Sequence, residues 1–184
     1  LEYQIFPVNI LENDQFQPDF LRISPNNKIP AIVDQDGPRG EAISVFESGA
    51  ILQYLGRKTG LYYPVDEQQR VEVEQWLMWQ MASFGPMLGQ NHHFGRFAPE
   101  KIPYAIDRYV NETKRLYSVL NKQLMGQKYV AGEYSIADMA ILPWILRHEW
   151  QQIQLEDYPY VKEYVDHLTA RPAIQKALSI QVAG

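Results

Sequence analysis

The chain has 184 residues, 46% hydrophobic and 21% charged, with a net charge of −5, enough for one sizeable core or two small domains. The acidic balance without a basic stripe argues against nucleic acid; no apolar run approaches the ~18 residues of a membrane helix and no leader opens the chain, so cytoplasm is the expected compartment. Cysteine is absent, which excludes disulfides, thiolate metal sites and a protein-borne sulfur nucleophile, so any thiol chemistry must use a sulfur that a ligand brings.

Leu1 to Asn9 alternates loosely through Tyr3, Ile5 and Val8 and predicts a strand, weakened at its far end by Pro7. Leu11 to Gln17 is a polar loop, and Pro18 opens a short helix through Ile23. Ser24-Pro25-Asn26-Asn27 ends it. Ile29 to Val33 is apolar and rich in β-branched residues and predicts a strand, with a turn over Gln35 to Gly40 and a second strand over Ala42 to Phe46, completing an antiparallel hairpin. Glu47-Ser48 starts a helix that closes at Lys58-Thr59-Gly60, with Gly60 in the C′ position.

Beyond a linker at about Leu61 to Asp66 the pattern turns to long helices. One runs from Gln68 to Gln80, and Gly85-Pro86 is expected to bend or interrupt it. Tyr104 to Leu124 is the clearest amphipathic helix. Ser135-Ile136-Ala137-Asp138 has the form of a capping box and opens a run to Trp150, which Pro143 is expected to kink. Tyr158-Pro159 starts a helix to about Ala170, and Arg171-Pro172 starts the last.

Chemistry concentrates between Asn26 and Ser48. Pro30 leaves a strand edge unpaired beside it, a docking place for an extended peptide backbone. A helix N-terminus at Ser48 favours a carboxylate, and Glu47 beside it suits an ammonium group. Amine, carboxylate and backbone partners together fit the free amino-acid end of a peptide; the plainer alternative is that Glu47 and Ser48 only cap a helix. His92-His93 invites a metal reading, but adjacent helical histidines point about 100° apart and no carboxylate lies at i+3 or i+4. With Gln90 and Asn91 they are expected to line a cleft or a dimer seam, and Trp76 and Trp79 to lie in a core or interface. No Ser-His-Asp triad, P-loop or dinucleotide fingerprint is present.

Asn27-Lys28-Ile29-Pro30 and Phe46-Glu47-Ser48-Gly49-Ala50-Ile51 resemble the glutathione-binding core of cytosolic glutathione transferases. Phe20 to Asn27 and Gly85-Pro86-Met87-Leu88-Gly89-Gln90-Asn91-His92-His93-Phe94 resemble, more narrowly, the bacterial nu-class branch of glutathione-dependent disulfide-bond oxidoreductases, relatives of a yeast prion-forming regulator. The resemblance implies an α/β plus all-α architecture: a thioredoxin-like domain over 1–62 and an all-helical domain over 67–184. It implies a cis bond before Pro30, Ile29 pairing its backbone with the cysteinyl part of glutathione, and Glu47 and Ser48 holding the glutamyl end. Lys28 is expected to meet the glycyl carboxylate and Gln15 to contact the ligand. Arg108 resembles the branch's active-site arginine; otherwise it is a surface residue paired with Glu112 one turn on. In the family a first βα unit carries the Thr or Asn that contacts the glutathione sulfur, and this chain starts without that unit.

The expected activity is reduction of small disulfides by glutathione, the cosubstrate, with no metal. A bound thiolate attacks the disulfide and a second glutathione resolves the mixed species. Two alternatives stand beside it: transfer of glutathione to an electrophile, and a non-enzymatic glutathione-binding regulator. The expected assembly is a homodimer, argued from the apolar surplus of Trp76, Trp79, Met81, Phe84 and Met87.

Overall fold

A computed structural model describes residues 1–180. Its sheet is the expected hairpin: β1 (Ala31–Asp34) pairs antiparallel with β2 (Ile43–Phe46), Ala31 opposite Phe46 and Asp34 opposite Ile43. α1 (Pro18–Ile23) precedes it and α2 (Ser48–Thr59) follows, closed by Gly60 in the left-handed conformation with its N–H on the Gly56 carbonyl. The far end of β1 is pinned to the last turn of α2. Asp34 accepts from the Lys58 ammonium and the Tyr54 hydroxyl, each at 2.6 Å. These contacts, the Lys58 bond first, hold the Asp34 carboxyl down at about 2.

The strand expected over Leu1 to Asn9 does not form. A strand exists by its ladder, and no segment among the described residues pairs with this one; Leu1, Tyr3, Ile5 and Phe6 stay exposed.

From Glu67 onward the chain is helical: α3 (Glu67–Trp79), α4 (Gly85–His92), α5 (Pro103–Gln123), α6 (Ile136–Ile145), α7 (Pro159–Thr169) and α8 (Pro172–Leu178). The main core lies here, with Leu77, Phe84, Leu88, Leu116, Tyr117, Leu120, Ile141, Val161 and Leu168 all fully buried. The interruption expected at Gly85-Pro86 takes the form of a π turn over Gln80–Phe84. Pro86 has no N–H for the Ala82 carbonyl, and the Gly85 N–H reaches back to Gln80 instead, widening the turn without breaking the helix. A second π turn covers His93–Phe97.

The capping box forms, and it carries more than a cap. Asp138 is fully buried and accepts from the Ser135 N–H, the Val130 N–H and the Tyr164 hydroxyl, each at 2.9 Å. One carboxylate therefore joins the loop before α6, the start of α6 and α7. The run expected to reach Trp150 stops at Ile145, two residues past Pro143, and continues as a 3₁₀ turn over His148–Gln151. At the ending helix the Trp144 carbonyl accepts from the Arg147 N–H at 3.2 Å and from the buried Gln151 side chain at 2.7 Å.

Candidate functional site

The site is built where β2 turns into α2. Glu47 takes φ 67° and ψ 118°, a region costly to a residue with a Cβ, which turns the chain so that α2 begins abruptly at Ser48. Glu47 holds the N-cap position of α2 without a side-chain cap bond, and its carboxylate accepts from the Asn26 side chain at 3.2 Å. Within the described residues the N–H groups of Ser48, Gly49 and Ala50 find no acceptor, the first intrahelical bond being Ile51 to Glu47 at 2.9 Å. The result is an open helix N-terminus flanked by one carboxylate and one hydroxyl: a seat for an anion with a counter-charge for an ammonium beside it.

The Ile29–Pro30 bond is cis, as the motif implied. The loop before it is braced from below: buried Ser24 donates its hydroxyl to the Lys28 carbonyl at 2.7 Å, and Asn27 adopts a positive φ. Ile29 lies just ahead of β1, half-exposed, with neither its N–H nor its carbonyl bonded among the described residues. An extended ligand can add to this edge as a further strand. The Lys28 ammonium is exposed and forms no ion pair among the described residues. Gln15 sits in the 3₁₀ turn Asp14–Phe16; its amide donates to the Ile10 carbonyl at 3.4 Å while its Oε1 is buried without a partner.

Arg108 lies exposed near the start of α5. Glu112, one turn on, is bound by Arg115 through two bonds of 2.8 and 2.7 Å, and its pKa is lowered chiefly by Arg115, with Arg108 adding a smaller charge effect. Lys28, Ile29 and Pro30 share one loop, which the Asn26–Glu47 bond ties to the start of α2; Gln15 lies in the 3₁₀ turn before α1, and Arg108 stands on α5 with no hydrogen bond or ion pair among the described residues to Glu47 or Ser48.

Sequence reasoning missed Met81 as a neighbour of the site. From the π turn it reaches under α2, its Sδ 3.8 Å from the Ser48 hydroxyl. Gly49 packs closely against it: a Cβ there would stand 3.1 Å from Met81 Cγ and 3.2 Å from Sδ, so a larger residue would have to displace the Met81 side chain by a few tenths of an ångström. The signal was a glycine directly after the Glu-Ser doublet.

The surroundings of His92 correct a second expectation. Asn91 is a buried core residue, donating to Thr113 at 2.9 Å and to the Gln151 carbonyl at 3.0 Å, and does not line a cleft. His92 is half-buried between Trp144 and Trp150, at ring distances of 5.8 and 5.7 Å. Burial, with Arg147 and Arg96 nearby, pushes its pKa down. His93 is exposed. Among the described residues no three His, Asp or Glu side chains gather where they could hold a metal ion, and no helix is long and apolar enough to cross a membrane.

A thioredoxin-like hairpin with a cis-proline loop, an open α2 N-terminus and an all-helical second half defines a glutathione-transferase-like protein. The profiles described as "Glutathione S-transferase, N-terminal domain" and "Glutathione S-transferase, C-terminal domain" match residues 1–57 and 86–172, and the chain belongs to the glutathione S-transferase family. It is 53% identical to the disulfide-bond oxidoreductase YfcG of Escherichia coli (strain K12) over 182 residues, covering 97% of this chain and 84% of that protein. It also superposes on the crystal structure of a Pseudomonas putida glutathione transferase with one glutathione disulfide bound per subunit. That match has a TM-score of 0.94 at 42% identity, covering 99% of this chain and 82% of the other. Ure2p in complex with glutathione follows with a TM-score of 0.88 at 29% identity, covering 96% and 86%.

Proposed function

We propose that this chain is a glutathione-dependent oxidoreductase that reduces small disulfides by thiol–disulfide exchange. The observation that carries the reading is the open α2 N-terminus beside the uncapped Glu47, in a chain 53% identical to a disulfide-bond oxidoreductase. In this reading Ser48 and the α2 amides take the glutamyl carboxylate and Glu47 its ammonium. The Ile29 backbone, ahead of Pro30, pairs with the cysteinyl part, Lys28 meets the glycyl carboxylate, and Gln15 contacts the ligand. The bound thiolate attacks the substrate disulfide and expels one thiol; a second glutathione attacks the mixed disulfide, releasing the other thiol and glutathione disulfide. The relative crystallised with glutathione disulfide supports room for two glutathione units. Arg108 supplies positive charge near the sulfurs, favouring the thiolate. The protein works in the cytoplasm, with functional division at 1–62 and 67–184.

Truncating one partner of a charge-assisted pair costs roughly 1.5–3 kcal/mol, or about tenfold to a hundredfold in affinity. Calorimetry on Glu47→Ala should show that loss, and unchanged affinity for glutathione would remove the assignment. The same seat serves transfer of glutathione to an electrophile, the reading favoured by the name of the Pseudomonas putida protein.

We also propose a homodimer, though not through the residues first expected to form it. Phe84 is fully buried, and Trp76, Trp79, Met81 and Met87 pack against the core, Trp79 stacking on Phe84 at 4.9 Å. Exposed Val71 and Met78, two turns apart on α3, provide the apolar stripe instead. Light scattering at micromolar concentration should find the dimer mass, and a monomer refutes the assembly.

A further inference from the structure

The chain has five methionines and no cysteine. The oxidisable sulfurs of the chain are therefore all thioethers, which peroxides convert to sulfoxides. One of them lies at the site. Met81 is half-buried, its Sδ 3.8 Å from the Ser48 hydroxyl and in tight contact with Gly49. The thioether is a weak acceptor, so in the reduced protein the hydroxyl can leave it for a ligand carboxylate at little cost.

We propose that Met81 is an oxidative modification site whose sulfoxide closes the carboxylate seat at the start of α2. The step needs a peroxide: Sδ attacks one oxygen of hydrogen peroxide, an S–O bond forms as the O–O bond breaks, and the other oxygen leaves as water. Sulfur is oxidised by two electrons and the peroxide reduced by two. The product acts in two ways. A sulfoxide oxygen is a far stronger acceptor than a thioether and holds the Ser48 hydroxyl away from the ligand. Its bulk is added where Met81 already packs tightly on Gly49, whose Cβ, if present, would stand 3.1–3.2 Å from the Met81 side chain, and it presses on the first turn of α2 and its N–H groups. The lesion is reversible by methionine sulfoxide reductases, so it switches the site instead of destroying it. The inference rests on the glutathione reading of this seat.

The test compares each protein with its own peroxide-treated form: wild type, Met81→Leu, and Met78→Leu/Met125→Leu, which removes two exposed methionines outside the site. Peptide mass spectrometry locates the added oxygen and calorimetry reads glutathione affinity before and after. Oxidised wild type and the Met78/Met125 variant should bind at least roughly tenfold more weakly than their reduced forms, the loss expected for a missing charge-assisted bond. Met81→Leu should keep its own starting affinity, and sulfoxide reductase should restore the wild type. Oxygen on Met81 with unchanged affinity overturns the proposal. So does peroxide that marks Met78 and Met125 but spares Met81, or an equal loss in Met81→Leu. Reduced wild type that fails to bind glutathione overturns the underlying reading as well, and that result is distinct from the others.

Discussion

Replacing Asp138 by Ala removes the acceptor that joins three pieces of the helical half. Two buried backbone donors, Val130 and Ser135, and the buried Tyr164 hydroxyl lose their partner together. Each orphaned donor costs about 1–3 kcal/mol. Against this, burial already works against the carboxylate, pushing its pKa up despite the bonds, and alanine removes that penalty. Three such donors, less the burial penalty that alanine relieves, leave a net of about 3–5 kcal/mol. For a chain of this size that lowers Tm by on the order of 10 °C. Circular dichroism melts of wild type, Asp138→Asn and Asp138→Ala give the check. The Asn variant keeps one acceptor oxygen and should fall between the others. A loss for Asp138→Ala below about 1 kcal/mol would refute the reasoning, because the box would then be an ordinary exposed-type cap.

Two further outcomes follow from named groups. Asp34 has its folded-state pKa lowered to about 2 from an ordinary 3.8, chiefly by Lys58 and then Tyr54. A lowered carboxyl pKa contributes stability above the ordinary value and loses it as pH falls through the folded one. The Tm gap between wild type and Lys58→Met should therefore be full near neutrality, shrink as pH drops below about 4, and level off below about 2 at the part due to the Lys58 bond to the Asp36 carbonyl; a constant gap contradicts the linkage. Arg108→Met keeps length while removing the charge, so turnover should fall more than glutathione affinity. Its activity should recover as pH rises toward the free thiol pKa of about 8.5; a wild-type pH–rate profile makes Arg108 a surface residue.

Most of the fold was legible because its signals are local. A short apolar, β-branched run and turn residues gave the hairpin, Gly60 gave the end of α2, and Ser135 with Asp138 gave the start of α6. What was hidden depends on partners. Leu1 to Asn9 has strand-like residues but no ladder, and a pattern of side chains does not reveal whether a neighbour exists. The π turns keep near-helical spacing, so Gly85-Pro86 signalled a disturbance without its form. The Glu47-Ser48 doublet was visible as chemistry, while Met81, 33 residues beyond Ser48, was not. Nothing in sequence distance suggests that contact, which joins the start of α2 to the π turn after α3.

The central claim is that this cysteine-free chain reduces disulfides with glutathione sulfur alone. Steady-state reduction of a small symmetric disulfide, followed as a function of glutathione concentration, tests it most directly. The account predicts a rate well above the uncatalysed exchange, rising with the square of glutathione concentration before saturating, and surviving treatment of the protein with a thiol-alkylating reagent that is then removed. A protein that binds glutathione in calorimetry yet leaves the uncatalysed rate unchanged would contradict it and make the chain a glutathione-binding regulator.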